Sequence, residues 1–131
     1  MALADIRIID LTDERGIYGT KLLADLGAQV IRPETADGDP LRQRGPFVQN
    51  HGAGLSLWHS FFASNRSFVT VDEADLGATQ TLQTLAVAAD IVCLCDNSPT
   101  ASLIDIEAAK QALKDTHDSE GMVQGEGGSI P

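Results

Sequence analysis

The sequence predicts an α/β domain: a mostly parallel sheet with helices on both faces. Three observations predict it. Four short apolar runs, rich in β-branched residues, alternate with four stretches of helical character, the order that crossover helices between parallel strands produce. The 131 residues suffice for one domain with its own core. Hydrophobic residues make up an ordinary 43%, with no run near the roughly 18 residues that cross a bilayer.

Taken in order, Ile6–Leu11 (IRIIDL) is a first strand, running into Asp10 and Thr12. Asp13–Gly16 is a turn. Ile17–Leu26 is a helix with Leu22, Leu23 and Leu26 on one face, and Gly27 stands where helices end in a left-handed residue. Val30–Arg32 is a second strand, stopped by Pro33, which cannot donate to a sheet ladder. Residues 34–52 form a long loop rich in Gly, Pro and charge, a length that compact domains usually reserve for function or mobility. Ala53–Ser64 is a helix with Leu57, Trp58 and Phe61 inward. Ser67–Val71 is a third strand, ended by Asp72. Asp75 caps a helix over Leu76–Ala88 with Leu82, Leu85 and Ala86 on the core side. Ile91–Cys95 is a fourth strand. After Asn97-Ser98-Pro99, a last helix covers about Asp105–Lys114, its lysines near the C-terminal end as the helix dipole favours. The chain thus divides into a lobe at 1–114 and an acidic, Gly-rich tail at 115–131, expected to be loosely ordered.

The net charge of −10 is uneven. Residues 1–66 carry seven of the nine cations against eight acids; residues 67–131 carry two against eleven. Such acidity argues against nucleic acid or an anionic membrane as partner. An anionic ligand must be held by particular residues, and the first half supplies nearly all of the cations. Cys93 and Cys95 read as small apolar residues of a buried strand, and His51, His59 and His117 are too scattered to form a metal set with them. The N-terminus, MALADIRIID, lacks the basic-then-apolar order of a signal peptide, so a cytoplasmic location is expected.

Ligands of parallel sheets bind beyond the carboxyl ends of the strands, here Thr12–Gly16, Pro33–Phe47, Asp72–Asp75 and Asp96–Pro99. No Gly-x-Gly-x-x-Gly or P-loop follows a strand; the tail's Gly125-Glu126-Gly127-Gly128 neither follows a strand nor opens a helix. The loop GDPLRQRGPF places Arg42 and Arg44 two apart at the mouth of the second strand. Two readings stand: the forked donors of a guanidinium suit phosphate, or the arginines pair with Glu34, Asp37 or Asp39 in a solvated loop. Arg15, just after the first strand, and Arg66, just before the third, could point into the same crevice, and four arginines converging there would make a polyanion site. Asp10 and Asp72 read as turn caps rather than bases, and Ser56 with His59 is a commonplace helix-face pair.

Three segments in order, IRIIDLT, YGTKLLADLGAQVIRPE and GDPLRQRGPF, resemble the class III CoA-transferase family (CaiB/BaiF type), which includes formyl-CoA transferase, carnitine CoA-transferase and 2-methylacyl-CoA racemase. Weaker matches follow in NRSFVTVD, AVAADIVCLC and LIDIEAAKQAL, so the resemblance covers about residues 3–113. It implies a Rossmann-like sheet, interlocked ring-like dimers, and acyl-CoA bound along the sheet. Catalysis in the family passes CoA between carboxylates through an aspartyl anhydride and thioester, with a carboxylate as nucleophile. Coenzyme A or an acyl-CoA is then the implied, non-covalent cofactor, with Arg66, Arg42, Arg44, Arg15 and Arg32 as its candidate contacts. Removing the charge of Arg66 or Arg42 should weaken such binding by about 1–3 kcal/mol.

The departures are as informative. The family's catalytic aspartate lies beyond the stretch matching Asp96–Pro99, so no residue here inherits that role. The turn Asp13–Tyr18 replaces the family's small residues and Gly-Pro. Ala63 stands in place of an Asn, while Arg66 keeps a cation. Cys95–Thr100 lacks the family's arginine after the fourth strand. Three readings follow. The chain is a shortened lobe, non-catalytic alone, that binds a CoA thioester or works with a homo-oligomeric or full-length CoA-transferase partner. It is an interaction module that kept the fold and lost the ligand. Or it is a fragment of an active enzyme.

Overall fold

A computed structural model describes residues 2–49 and 54–127. Four strands form one parallel sheet: β1 (Arg7–Leu11), β2 (Gln29–Glu34), β5 (Arg66–Thr70) and β6 (Ile91–Leu94), in the order β5-β2-β1-β6. Helices α1 (Ile17–Asp25), α2 (Leu57–Phe62), α3 (Leu76–Ala88) and α4 (Ile106–Gly127) complete the alternation. A two-residue antiparallel pair, β3 (Phe47–Val48) with β4 (Leu55–Ser56), lies between β2 and α2.

The β1 sequence fixes both faces of the sheet, because side chains alternate along a strand. Ile8 packs with Val30 and with Ala24 of α1, while Ile9 and Leu11 pack with Leu82 and Ala86 of α3. One face therefore carries α1 and the other α3, as the sequence predicts. Local signals hold at the joints. Gly27 follows α1 at φ 104°, a conformation only glycine adopts cheaply. Asp75 caps α3, its side chain accepting from the Ala78 N–H at 3.1 Å. Gly16 is needed for space: a Cβ there would lie 2.9 Å from Cys95 Sγ and from Thr12 Cγ2.

Four expectations require correction. Pro33 does not stop the second strand; β2 runs through it to Glu34, pairing Pro33 with Val69. Glu34 turns its backbone toward β5, where its carbonyl accepts from the Val71 N–H at 2.8 Å. By alternation Pro33 faces the β1 side, where pairing with β2 already ends at Ile31, so its missing donor costs no ladder bond.

The helix expected over Ala53–Ser64 is shorter, and its start at Ala53 lies outside the described residues. Leu57 and Phe61 face outward and Trp58 is half-buried; His59 and Ala63 face inward. Ser56 sets this phase by capping the helix through the His59 N–H at 3.0 Å. On α3, Leu82 and Ala86 are buried but Leu85 is 42% exposed, because the sheet beneath it is only partly covered. The last helix continues past Lys114 to Gly127. Residues 128–131, including the Gly128 of the Gly-rich motif, lie outside the described residues.

No helix among the described residues is long and apolar enough to cross a membrane. The two leucines of α3 should separate cleanly in chemical denaturation: Leu82→Ala should cost about 2–5 kcal/mol and Leu85→Ala less than about 1 kcal/mol.

Candidate functional site

The carboxyl end of the sheet is organised around one buried carboxylate. Asp10, the fourth residue of β1, is fully buried on the α1 face. It accepts from the Thr12 N–H at 3.1 Å, the Thr12 hydroxyl at 2.6 Å and the Thr20 hydroxyl at 3.0 Å. Two guanidiniums close on it: Arg32 Nη1 at 3.2 Å and Arg66 Nε at 3.3 Å. Burial would favour neutral groups, but a carboxylate facing two guanidiniums is charge-compensated where it sits. Burial pushes the Arg66 guanidinium down, while its other nitrogens donate to the Phe62 and Ile17 carbonyls and the Thr20 hydroxyl. Arg66 thereby ties β5, α1 and the end of α2 to the central strand.

Arg32 extends the network outward. Its Nε donates to Asp39 Oδ2 at 2.7 Å, and both side chains are about 5% exposed. Burial opposes ionisation of Asp39, yet His59 and Arg32 beside it outweigh burial and hold its carboxyl well below the usual range. Asp39 Oδ1 meanwhile accepts from the Leu41 N–H at 3.0 Å, capping a short 3-10 turn at Pro40–Gln43. A proline just inside that cap needs no donor of its own. Glu34 at the end of β2 takes the Asp39 N–H at 2.8 Å and both Nε and Nη2 of Arg42, at 2.8 and 2.6 Å. The Arg42 fork holds the Glu34 carboxyl low.

The far end of this loop rests on α2. The Ser56 hydroxyl donates to the Arg44 carbonyl and the Leu57 N–H to the Pro46 carbonyl at 2.9 Å; the Gly45–Pro46 bond is cis. The Arg42 guanidinium lies 4.9 Å from the Phe68 ring centroid, and that of Arg44 4.8 Å from Trp58. Arg44 also reaches across to Glu14, at 2.6 Å, joining this loop to the turn after β1. There the Arg15 fork, with its backbone N–H, holds Asp13 down at about 2.

The five arginines singled out from the sequence thus fall into two groups. The side chains of Arg32 and Arg66 are within 5% of full burial and serve Asp10 and Asp39. Those of Arg15, Arg42 and Arg44 are 60%, 40% and 46% exposed along the rim, each also paired with an acid. Arg42 takes the partner expected of it, Glu34; Asp39 takes Arg32 instead. Arg15 also lines an open crevice of about 300 Å³ with Leu94, Cys95 and Asp96. A larger apolar groove, about 460 Å³, lies elsewhere, against Ile31, Ser67, Val69, Leu85 and Ala89. It sits on the α3 face toward the amino ends of β1 and β2. Ligands of parallel sheets gather at the opposite end, so the groove marks uncovered sheet rather than this site. Cys93 packs into the α1-side core, where burial pushes its thiol up.

Sequence reading missed Asp39 and His59 as organising residues. Asp-Pro at the head of a helical turn is the signal that points to Asp39 as a cap. Nothing local marks His59, whose role comes from a contact with a residue twenty positions earlier.

The sequence model of CoA-transferase family III matches residues 3–115. The succinyl-CoA:(R)-benzylsuccinate CoA-transferase subunit BbsE of Thauera aromatica is 36% identical over 87 residues, which cover 66% of this chain and 21% of that protein. The succinyl-CoA:mesaconate CoA-transferase of Haloarcula hispanica is 38% identical over 95 residues, covering 70% of this chain and 24% of that one. Among solved structures, Rv3272 of Mycobacterium tuberculosis superposes with a TM-score of 0.61 at 29% identity, over 77% of this chain and 28% of that one. A CaiB/BaiF family protein of Brucella suis gives 0.59 at 26% identity, over 66% and 24%. The chain spans between a fifth and a quarter of the length of these two curated relatives.

Two outcomes test the buried network. Arg66→Met leaves Asp10 short of one countercharge and should cost about 3–5 kcal/mol in urea unfolding. A loss below about 1 kcal/mol would show that Asp10 does not need it. Stability should also depend on acid in one direction. Asp39 and Glu34 are held below their ordinary values, so their contribution is complete above the unfolded carboxylate range. It is lost as pH falls below about 4. The urea midpoint should fall there, and less steeply in Glu34→Gln.

Proposed function

The chain belongs to CoA-transferase family III, and from that premise we propose that it is a CoA-thioester-binding lobe, non-catalytic alone, working in the cytoplasm with a partner subunit. The observation that supports the reading is the pairing of the family match with a preorganised arginine loop at the carboxyl end of the sheet. In this reading Arg42, Arg44 and Arg15 meet the phosphates of CoA. Arg32 and Arg66 shape the loop from beneath.

Arg44 in particular suits this task because its present partner is exchangeable. Glu14 and Arg44 are each about half exposed, and exposed ion pairs contribute little to stability. A phosphate with two or more charges replaces one carboxylate at small cost. Trp58 and Phe68 beneath Arg44 and Arg42 keep the guanidinium planes oriented as the partner changes. No residue of this chain is given the family's nucleophilic role.

One observation favours a second reading, an interaction module without ligand. Arg15, Arg42 and Arg44 each already hold an internal acid, which is also what a surface freed from ligand duty would show.

Isothermal titration of the purified chain with CoA and acetyl-CoA separates the two. Binding weakened by about 1–3 kcal/mol in Arg42→Ala, with the fold intact by circular dichroism, supports the lobe. No heat at millimolar CoA rejects it. Arg44→Ala should also steepen nothing in the urea transition, shifting stability by less than about 1 kcal/mol.

A further inference from the structure

His59 lies in the first turn of α2 with its side chain 6% exposed. Its Nε2 points at Asp39 Oδ2 across 3.4 Å and has no hydrogen-bond partner. Its ring lies 5.4 Å from that of Phe68, the ring that Arg42 also covers. A bare imidazole lone pair facing a buried carboxylate is repulsive, so this approach requires a hydrogen on Nε2. The nearby buried charges already balance: Asp10 and Asp39 against Arg32 and Arg66.

The arginine loop has two ends, and both meet the first turn of α2. Ser56 and Leu57 hold the Arg44–Pro46 end through backbone carbonyls. At the other end, Asp39 is the point of attachment, and His59 is the α2 residue that faces it. Without His59, Asp39 keeps Arg32 of β2, but the Asp39 end of the turn loses its polar contact with α2.

We propose that His59 is a positioning residue: its Nε2–H, directed at Asp39, latches the Asp39–Gln43 turn to α2 and so sets where Arg42 and Arg44 stand. The proposal concerns the site assigned above to CoA phosphates and takes its functional meaning from that reading, but its structural content stands without ligand. It differs from ordinary core packing in depending on one nitrogen rather than on the ring's volume.

The test uses the full chain without CoA, so failure to bind CoA leaves it unaffected. Long-range proton–nitrogen spectra of the wild-type protein should show His59 with its proton on Nε2; a proton on Nδ1 alone, with Nε2 bare, overturns the latch. His59→Phe keeps the stacking surface and removes the nitrogen. Amide exchange at Leu41, Arg42 and Arg44 should accelerate on the order of tenfold, while β1 amides at Ile8 and Ile9 are unchanged. Equal acceleration in β1, or none in the loop, overturns the proposal. With CoA present, the same variant should bind more weakly than wild type; this last arm alone depends on the ligand assignment.

Discussion

A carboxylate buried under two guanidiniums governs the architecture of this lobe. Asp10 sits at the end of the central strand with no exposed surface, and three neighbouring elements send it a partner: α1 through Thr20, β2 through Arg32, β5 through Arg66. Breaking one side of such a cluster leaves an uncompensated charge in a dry site, which costs far more than the pair contributes over apolar packing. The cluster therefore fixes relative positions more than it adds stability. Around it the sheet end cannot slide, and the loops built on Arg32 and Arg66 inherit that fixity.

The arginine loop depends on this foundation in a chain of contacts. Asp10 places Arg32, Arg32 places Asp39, and Asp39 caps the turn that presents Arg42. Glu34 braces the same turn from the next residue but one along β2. A long Gly- and Pro-containing segment thus becomes an ordered platform without regular secondary structure of any length, because its polar backbone and side chains are satisfied by charged residues from the sheet.

Much of the fold was legible in the sequence, and the reasons are local. Alternating apolar runs, Gly27 after α1 and Asp75 before α3 are signals that short-range sterics and capping enforce. The failures are tertiary. Pro33 fits inside β2 only because β1 has stopped pairing at Ile31, a fact of the neighbour strand. The phase of α2 is set by Ser56 and the buried His59, against the apparent apolar stripe of Leu57 and Phe61. Leu85 has the right helical spacing but lies over bare sheet. At the site, the cations were visible, and Glu34 as a partner for Arg42, but the pairing of Arg32 with Asp39 and of Arg44 with Glu14 depends on how loops return.

The charge imbalance between the two halves also has a spatial form. α4, with Glu107, Asp115 and Asp118, packs on α3, whereas the arginine loop lies on the α1 and α2 side of the sheet. Part of the acid of the second half therefore lies across the sheet from the arginine loop, and part of it, Asp96, stands beside Arg15 at the rim.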